Sequence, residues 1–268
     1  MTRERTPQQQ LDLVRQRYGS IAEGENQSCC TPGDQPVDLG PAVPVDLREA
    51  ARTLGYTEAQ LAALPEDQSL TLGCGNPLSA ALLEPGQTVL DLGAGAGFDC
   101  FIAAESVGAE GQVIGVDMTP SMIARARAAA SDAGRTNVEF RLGELSHLPV
   151  ADGTVDVILS NCVINLVPDQ AQVYREARRV LKTGGRLAIS DVVRIGDFPP
   201  EIKASDSSLC SCISGAASVS EVEAFLREAG FEDIRIVVNE RSDEYIKDWD
   251  PGSGAEQYVR AAIIEARK

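Results

Sequence analysis

The stretch that most constrains this chain is VLDLGAGAGFDCFIAA, Val89–Ala104, where an apolar strand runs through a glycine turn straight into a helix. It opens a regular rhythm. Thr88–Asp91, Val113–Asp117, Val138–Leu142, Val155–Ser160 and Arg186–Asp191 read as buried strands, with helices near Phe98–Val107, Pro120–Ala133 and Gln170–Leu181 between them. Strands that alternate with helices pair in parallel through crossovers, so the spacing predicts an α/β fold with an open, doubly wound sheet. Upstream, Leu11, Val14 and Tyr18 fall at helical spacing within Pro7–Tyr18. Glu23–Val45, rich in Gly, Pro, Asp and Gln around Cys29-Cys30, reads as a loop. Asp46–Leu54 and Thr57–Ala63 read as short helices with Asp46 and Thr57 as N-caps, and Gly73 and Gly75 flank Cys74 in a turn. After Asp191 the rhythm breaks. Val192–Ser218 shows no clear period, and a helix (Ser220–Ala229) and strands at Ile234–Asn239 and Tyr258–Glu265 follow.

With 268 residues the chain is long enough for one α/β core with an appendage. The division expected is a helical and loop cap (1–70), a cofactor-binding core (71–191) and a substrate region that completes the sheet (192–268). A net charge of −16 gives neither the basic face of a nucleic-acid binder nor the Lys/Arg-rich helix of a membrane-surface protein. MTRERTPQQQ lacks the apolar core of a secretory signal, and no apolar run approaches the roughly 20 residues of a membrane span. The expectation is a cytoplasmic protein. Reducing conditions there favour soft-atom binding or redox chemistry over disulfide staples for its seven cysteines.

Asp91-Leu-Gly-Ala-Gly-Ala-Gly97 ends a strand and opens a helix, the context in which glycines let the backbone approach a nucleotide-like ligand closely. A dinucleotide site shares that logic, so Gly93, Gly95 and Gly97 do not decide the cofactor alone. The acidic Asp91 that starts the run, Asp117 (followed by Met118) closing the second strand, and Glu144-Leu145 after the third favour S-adenosylmethionine. Asp117 is placed for both ribose hydroxyls and Glu144-Leu145 for the adenine edge. A nicotinamide site and a dead fold are the rival readings. In VDVILSNCVINLV, Cys162 follows the fourth strand and lies where the methyl group would be delivered, and Asn161 before it reads as a cofactor or positioning contact.

Over Tyr18–Val259 the chain resembles the arsenite S-adenosylmethionine methyltransferases of microbial type. LGCGNP, DLGAGAGFDCFIAA, GVDMTPSMI, SNCVINLVPD, CISGA and DWDPGSGAEQYV carry the likeness, and SNCVINL is the most specific of them. The resemblance implies a class I, Rossmann-like methyltransferase sheet with an N-terminal helical cap and a small arsenic-binding C-terminal region. It implies three thiolates, matched here by Cys74, Cys162 and Cys212, that grip As(III). It also implies an N-terminal redox cysteine matched by Cys29 or Cys30, with a protein disulfide reduced by thioredoxin or another thiol reductant such as glutathione. The chemistry favours those residue types, because soft thiolates select soft, thiophilic centres. Three sulfurs leave the arsenic lone pair free to attack a methyl carbon.

Each cysteine also has a plain reading as a small buried hydrophobe. That reading is preferred for Cys100, stays open for Cys210, and suits Cys74 and Cys162 poorly. His147, the one histidine, reads as a loop cap, Asp152-Gly153 as a turn, and the segment around Trp249 as a cover over the sheet edge or site. The expected activity is methyl transfer from S-adenosylmethionine to arsenite or its thiol conjugates. The alternatives are a methyltransferase for a small organic acceptor and a non-enzymatic arsenical binder.

Overall fold

The computed structural model describes residues 5–23, 47–65 and 73–268. Cys29, Cys30 and the proposed cap Asp46 lie outside these described residues. Helices α1 (Pro7–Ala22), α2 (Leu47–Thr53), α3 (Glu58–Ala62) and α4 (Leu78–Ala81) precede the sheet. There follow β1 (Thr88–Leu92), α5 (Phe98–Val107), β2 (Gln112–Asp117), α6 (Pro120–Asp132), β3 (Val138–Leu142), β4 (Val155–Asn161), α7 (Gln170–Val180) and β5 (Leu181–Arg194). Then come α8 (Pro200–Ala204), α9 (Asp206–Cys210), α10 (Val219–Ala229), β6 (Glu232–Asn239), α11 (Asp243–Ile246) and β7 (Val259–Arg267).

The seven strands form one sheet in the order β3-β2-β1-β4-β5-β7-β6. β1 to β5 run parallel, and β7 enters antiparallel between β5 and β6. Order reverses beside β1, where β2 leaves on one side and β4 on the other. That switch point opens a crevice at the carboxyl ends of the strands, the place where ligands bind in such sheets.

Alternation along the strands explains the layers, because successive side chains point to opposite faces. Leu90, Leu92, Ile158 and Ile189 face Tyr174 and Leu226 on the side of α7 and α10. Val89, Val157, Leu159 and Ala188 face Phe101, Ile123 and Ala126 on the side of α5 and α6. Tyr174 and Phe225 stack at 6.3 Å between α7 and α10. A third cluster lies above the carboxyl ends and contains Cys74, Cys162 and Cys212 with Phe198, Ile213 and Ile246.

Several boundaries differ from expectation for identifiable reasons. α1 runs on to Ala22 because Ile21 buries its side chain against Ala96 and Met122. Thr57 does cap α3, through reciprocal bonds with Gln60. Leu181 leaves the helix for the sheet, pairing with Val155, and β5 extends to Arg194 against the full length of β7. Residues 192–218, which lack a sequence period, hold α8 and α9, helices too short to show one. Among the described residues no helix is long and apolar enough to cross a membrane.

Candidate functional site

A cavity opens at the switch point, floored by the turn after β1. Gly93 and Ala94 donate to Val116 O at 2.8 and 3.0 Å, tying this turn to β2. Gly95 has φ +53°, and the side where a Cβ would stand faces open space. A left-handed conformation beside a vacant approach is the use for which glycine is suited. Asp117 accepts from Gly95 N at 3.0 Å and from Thr119 N at 2.8 Å, which fixes its carboxylate at the rim. Asp91, Gly93, Gly95, Asp117, Met118, Glu144, Leu145 and Asn161 all line the cavity, as does Cys162. Gly97 has a packing role: a Cβ there would stand 2.7 Å from the Phe140 ring.

Helix α1 forms part of the wall through Leu11, Val14 and Tyr18. Arg15 on α1 pairs with Glu144 at 3.2 Å, so the helix is tied to the loop after β3. Sequence reasoning assigned α1 no part in the site. Its signal was the apolar stripe, which fits any packing surface equally well.

Asp99 is a second residue that sequence reasoning passed over. It sits in the first turn of α5, is buried, and lines the cavity beside Asp91. Tyr56 donates to Asp99 Oδ1 at 2.6 Å and Asn161 Nδ2 to Oδ2 at 3.1 Å. Burial raises the Asp99 carboxyl to about 6. Burial and the neighbouring Asp99 hold Asp91 well above the usual carboxylate range, and burial raises Asp117 too. No cationic side chain among the described residues offsets any of the three. An acidic residue set in FDCFIAA, an otherwise apolar helix, was the available signal.

Asn161 connects this end to the thiols. Its Oδ1 accepts from Cys74 N at 3.0 Å, and its Nδ2 donates to Gly75 O at 2.8 Å and Tyr56 Oη at 3.0 Å. The side chain passes so close to the Cys74 turn that a Cβ on Gly73 would lie 2.4 Å from Nδ2. Gly73 is therefore a condition for seating Cys74.

Cys74, Cys162 and Cys212 come from the turn before α4, the end of β4 and the residues after α9, and all three are buried. Cys162 and Cys212 hold left-handed φ values of +56° and +61°. Non-glycine residues in that region carry strain of order 1–3 kcal/mol, retained where surroundings over-determine it. Here Cys162 N donates to Ser190 O at 2.8 Å and Cys212 N to Leu209 O at 2.9 Å. The Cys212 thiol donates to Cys162 O at 2.7 Å. Hydrogen bonding with Cys212 and Cys74, in which the Cys162 thiol keeps its proton, and burial push Cys162 well above its ordinary range. Cys74 Sγ lies 3.4 Å from Ser190 Oγ.

The C-terminal segment holds these loops from outside. Tyr245 donates to Cys74 O at 3.0 Å, and Asp250 accepts from Ser207 and Ser208 on α9 at 2.8 and 2.5 Å. Trp249 packs on the thiol cluster and accepts at its carbonyl from Ser211.

Asp191 also stands at the thiols. A carboxylate oxygen, Cys74 Sγ and Cys162 Sγ all lie within 4.8 Å of one another. Burial raises this carboxyl to about 7. The strand rhythm places it only at a strand end, although an acid within LAISDVV carries the same signal as Asp99.

Of the remaining residues, Cys100 packs in the core and donates to Asp91 Oδ2 at 3.2 Å. Cys210 is buried beside α1, where Tyr18 donates to its carbonyl at 3.2 Å. His147 is exposed and meets Ser146 Oγ at 3.3 Å. The residues fit a cationic nucleoside ligand such as S-adenosylmethionine. An open-sided glycine turn and a rim carboxylate suit its ribose, and buried carboxylates with no salt-bridge partner among the described residues suit its sulfonium and ammonium.

The chain is similar to known methyltransferases over most of its length. Residues 83–230 match the family described as a methyltransferase domain. The whole chain aligns at 46% identity with the arsenite methyltransferase of Halobacterium salinarum, covering 69% of that protein. An arsenite methyltransferase from Aquipseudomonas alcaligenes is 44% identical over 65% of this chain, which spans about half of that protein's length (51%). The crystal structure of an arsenic(III) S-adenosylmethionine methyltransferase from Chlamydomonas reinhardtii superposes with a TM-score of 0.60 at 32% identity, covering 82% of this chain and 72% of that one.

Proposed function

We propose a mechanism from the premise that this chain belongs to the arsenite methyltransferase family: it transfers methyl from S-adenosylmethionine to thiol-bound As(III) and produces methylated arsenicals. The observation that carries the reading is the convergence of Cys74, Cys162 and Cys212 in one buried cluster, with Cys162 also lining the cavity of Gly95 and Asp117.

Asp117 takes the ribose hydroxyls, Glu144 and Leu145 flank the base, and Asp91 with Asn161 face the methionine portion. Bound there, S-adenosylmethionine supplies an electrophilic methyl group on sulfur. Cys74, Cys162 and Cys212 exchange for the oxygen or thiol ligands of arsenite or its conjugates, and their protons leave on the displaced groups. Three As–S bonds hold the arsenic in a pyramid whose lone pair is directed into the cavity. Attack of that lone pair on the methyl carbon needs no base. Fixing both reactants in line replaces a bimolecular encounter and supplies much of the rate. The packed thiol cluster excludes water around the arsenic.

Methylation leaves arsenic formally two electrons more oxidised. Two protein thiols return those electrons by closing a disulfide, and Cys29 or Cys30 paired with Cys74 fills that role. Thioredoxin or glutathione then reduces the disulfide, which suits the cytoplasm. Residues 1–70 act as cap and redox arm, 71–191 as cofactor core, and 192–268 as the arsenic-binding region.

The test incubates purified chain with labelled methyl donor, arsenite and thiol reductant, and separates arsenic species chromatographically. Labelled methylarsenicals that vanish in Cys162→Ser are expected. Label passing to an organic acceptor without arsenic, indifferent to Cys→Ser changes, would overturn the reading.

A further inference from the structure

Asp191 supplies no sulfur to three-sulfur binding of arsenic, yet it stands buried beside two of the sulfurs. Its hydrogen bonds account for most of its acceptor capacity. Oδ1 accepts from Asn165 Nδ2 at 2.8 Å and Val192 N at 2.7 Å, and Oδ2 from Ile164 N at 3.1 Å. The three donors act as outer partners that fix the carboxylate's orientation, the arrangement that supports ligands in metal centres.

We infer that Cys74, Cys162 and Asp191, completed by Cys212, form a binding site for a soft divalent cation such as Zn(II) or Cd(II), which competes with trivalent arsenic for the same sulfurs. The donor set is mixed in the manner such ions accept. Tetrahedral sites take sulfur at about 2.3 Å and carboxylate oxygen at about 2.0–2.2 Å, which places donors roughly 3.5–3.8 Å apart. A spread within 4.8 Å reaches that geometry with about 1 Å of closure. Cys212 lies on the same cluster, with its thiol bonded to the Cys162 carbonyl. Three sulfurs complete a pyramidal As(III), whereas a tetrahedral ion needs a fourth donor, and Asp191 supplies it. Mg(II) and Ca(II) demand all-oxygen shells and are excluded by the thiols. Thiol protons pass to solvent as the ion binds, so uptake strengthens with rising pH. The site rests on this geometry and does not require the arsenic reading.

The test titrates the reduced full chain, without methyl donor and under anaerobic conditions, with Cd(II) followed by thiolate charge-transfer absorbance, and separately with As(III). One Cd(II) per chain is expected, blocked by one prior equivalent of As(III). Asp191→Asn should weaken Cd(II) binding by about tenfold or more, the scale on which even outer partners act. Its As(III) affinity should fall by a clearly smaller factor than its Cd(II) affinity, because three-sulfur binding uses no oxygen donor. Because Asp191 accepts buried hydrogen bonds, a second measurement uses the unaltered chain: X-ray absorption of the Zn(II) form should show one oxygen at about 2.0–2.2 Å beside sulfurs at about 2.3 Å. An all-sulfur shell, or Cd(II) uptake indifferent to bound arsenic, overturns the inference. Asp191-dependent Cd(II) binding in a chain that fails to bind As(III) would uphold this site and overturn the arsenic reading instead.

Discussion

The cofactor end, lining the cavity, and the thiol end, a buried cluster that meets it at Cys162, are built in opposite ways. The cofactor end comes largely from contiguous chain: β1, its glycine turn, α5 and the close of β2. The thiol end gathers Cys74, Cys162 and Cys212 from three distant segments and places two of them at left-handed φ. A local motif needs only its own turn to be correct. A gathered site needs the sheet, Asn161, Tyr245 and Asp250 all in place. The thiol end should therefore fail first and most completely when a single contact is lost, while the cofactor end should weaken in steps.

Cys162→Ser gives the sharpest separation. Methyl transfer and As(III) binding should fall by more than the roughly 10–100-fold that loss of an outer partner costs. S-adenosylmethionine affinity should stay nearly unchanged, and calorimetric titration of both ligands checks it. Parallel loss of both affinities would erase the distinction between the two ends.

Asp117→Ala probes the other end. Charged hydrogen bonds contribute about 1.5–3 kcal/mol each, so cofactor affinity should drop about 10–100-fold while As(III) affinity holds. Unchanged cofactor affinity would show that the ribose lies elsewhere.

Gly73→Ala alters neither ligand's chemistry but sets a methyl group against the Asn161 amide. Overpacking of this kind costs about 1–3 kcal/mol, read as a lower denaturant midpoint. As(III) affinity should suffer more than cofactor affinity, because the displaced turn carries Cys74. Normal As(III) affinity would mean that Asn161 does not seat this turn.

The last contrast lies in pH dependence, which leaves both ligands' contacts in place. Burial raises Asp99 to about 6 and Asp191 to about 7, above their ordinary 3.8. The folded chain keeps these protons longer than the unfolded one, so their contribution is fully present below about pH 4 and is lost as pH rises through 6 and 7. Glu176, lowered mainly by its bond with Arg179, acts in the opposite sense and only below its ordinary 4.5. Asp191→Asn should flatten the fall in stability between pH 5 and 8, measured by urea unfolding at each pH. An unaltered profile would place the titration elsewhere.

This contrast also explains what could be read from the sequence. The strand rhythm from Thr88 and the glycine turn are local and periodic, so both were legible. Cys74, Cys162 and Cys212 stood out by residue type and by family likeness, but nothing in their spacing states that the three meet. α8 and α9 are single short turns, α9 held by Asp250 through Ser207 and Ser208, and such elements leave no period. Asp99 and Asp191 were hidden because a lone acid in an apolar run becomes informative only once its burial and its neighbours are known. α1 carried an ordinary apolar stripe, and only the fold shows that this stripe walls a cavity.

X-ray absorption at the arsenic edge, on reduced chain loaded with one equivalent of As(III) and freed of small thiols, tests the gathered thiol end most directly. Three sulfur neighbours per arsenic are expected in the unaltered chain, falling to two in each of Cys74→Ser, Cys162→Ser and Cys212→Ser. A three-sulfur shell that survives any one of these changes would contradict the assignment of that cysteine and the convergence on which the mechanism depends.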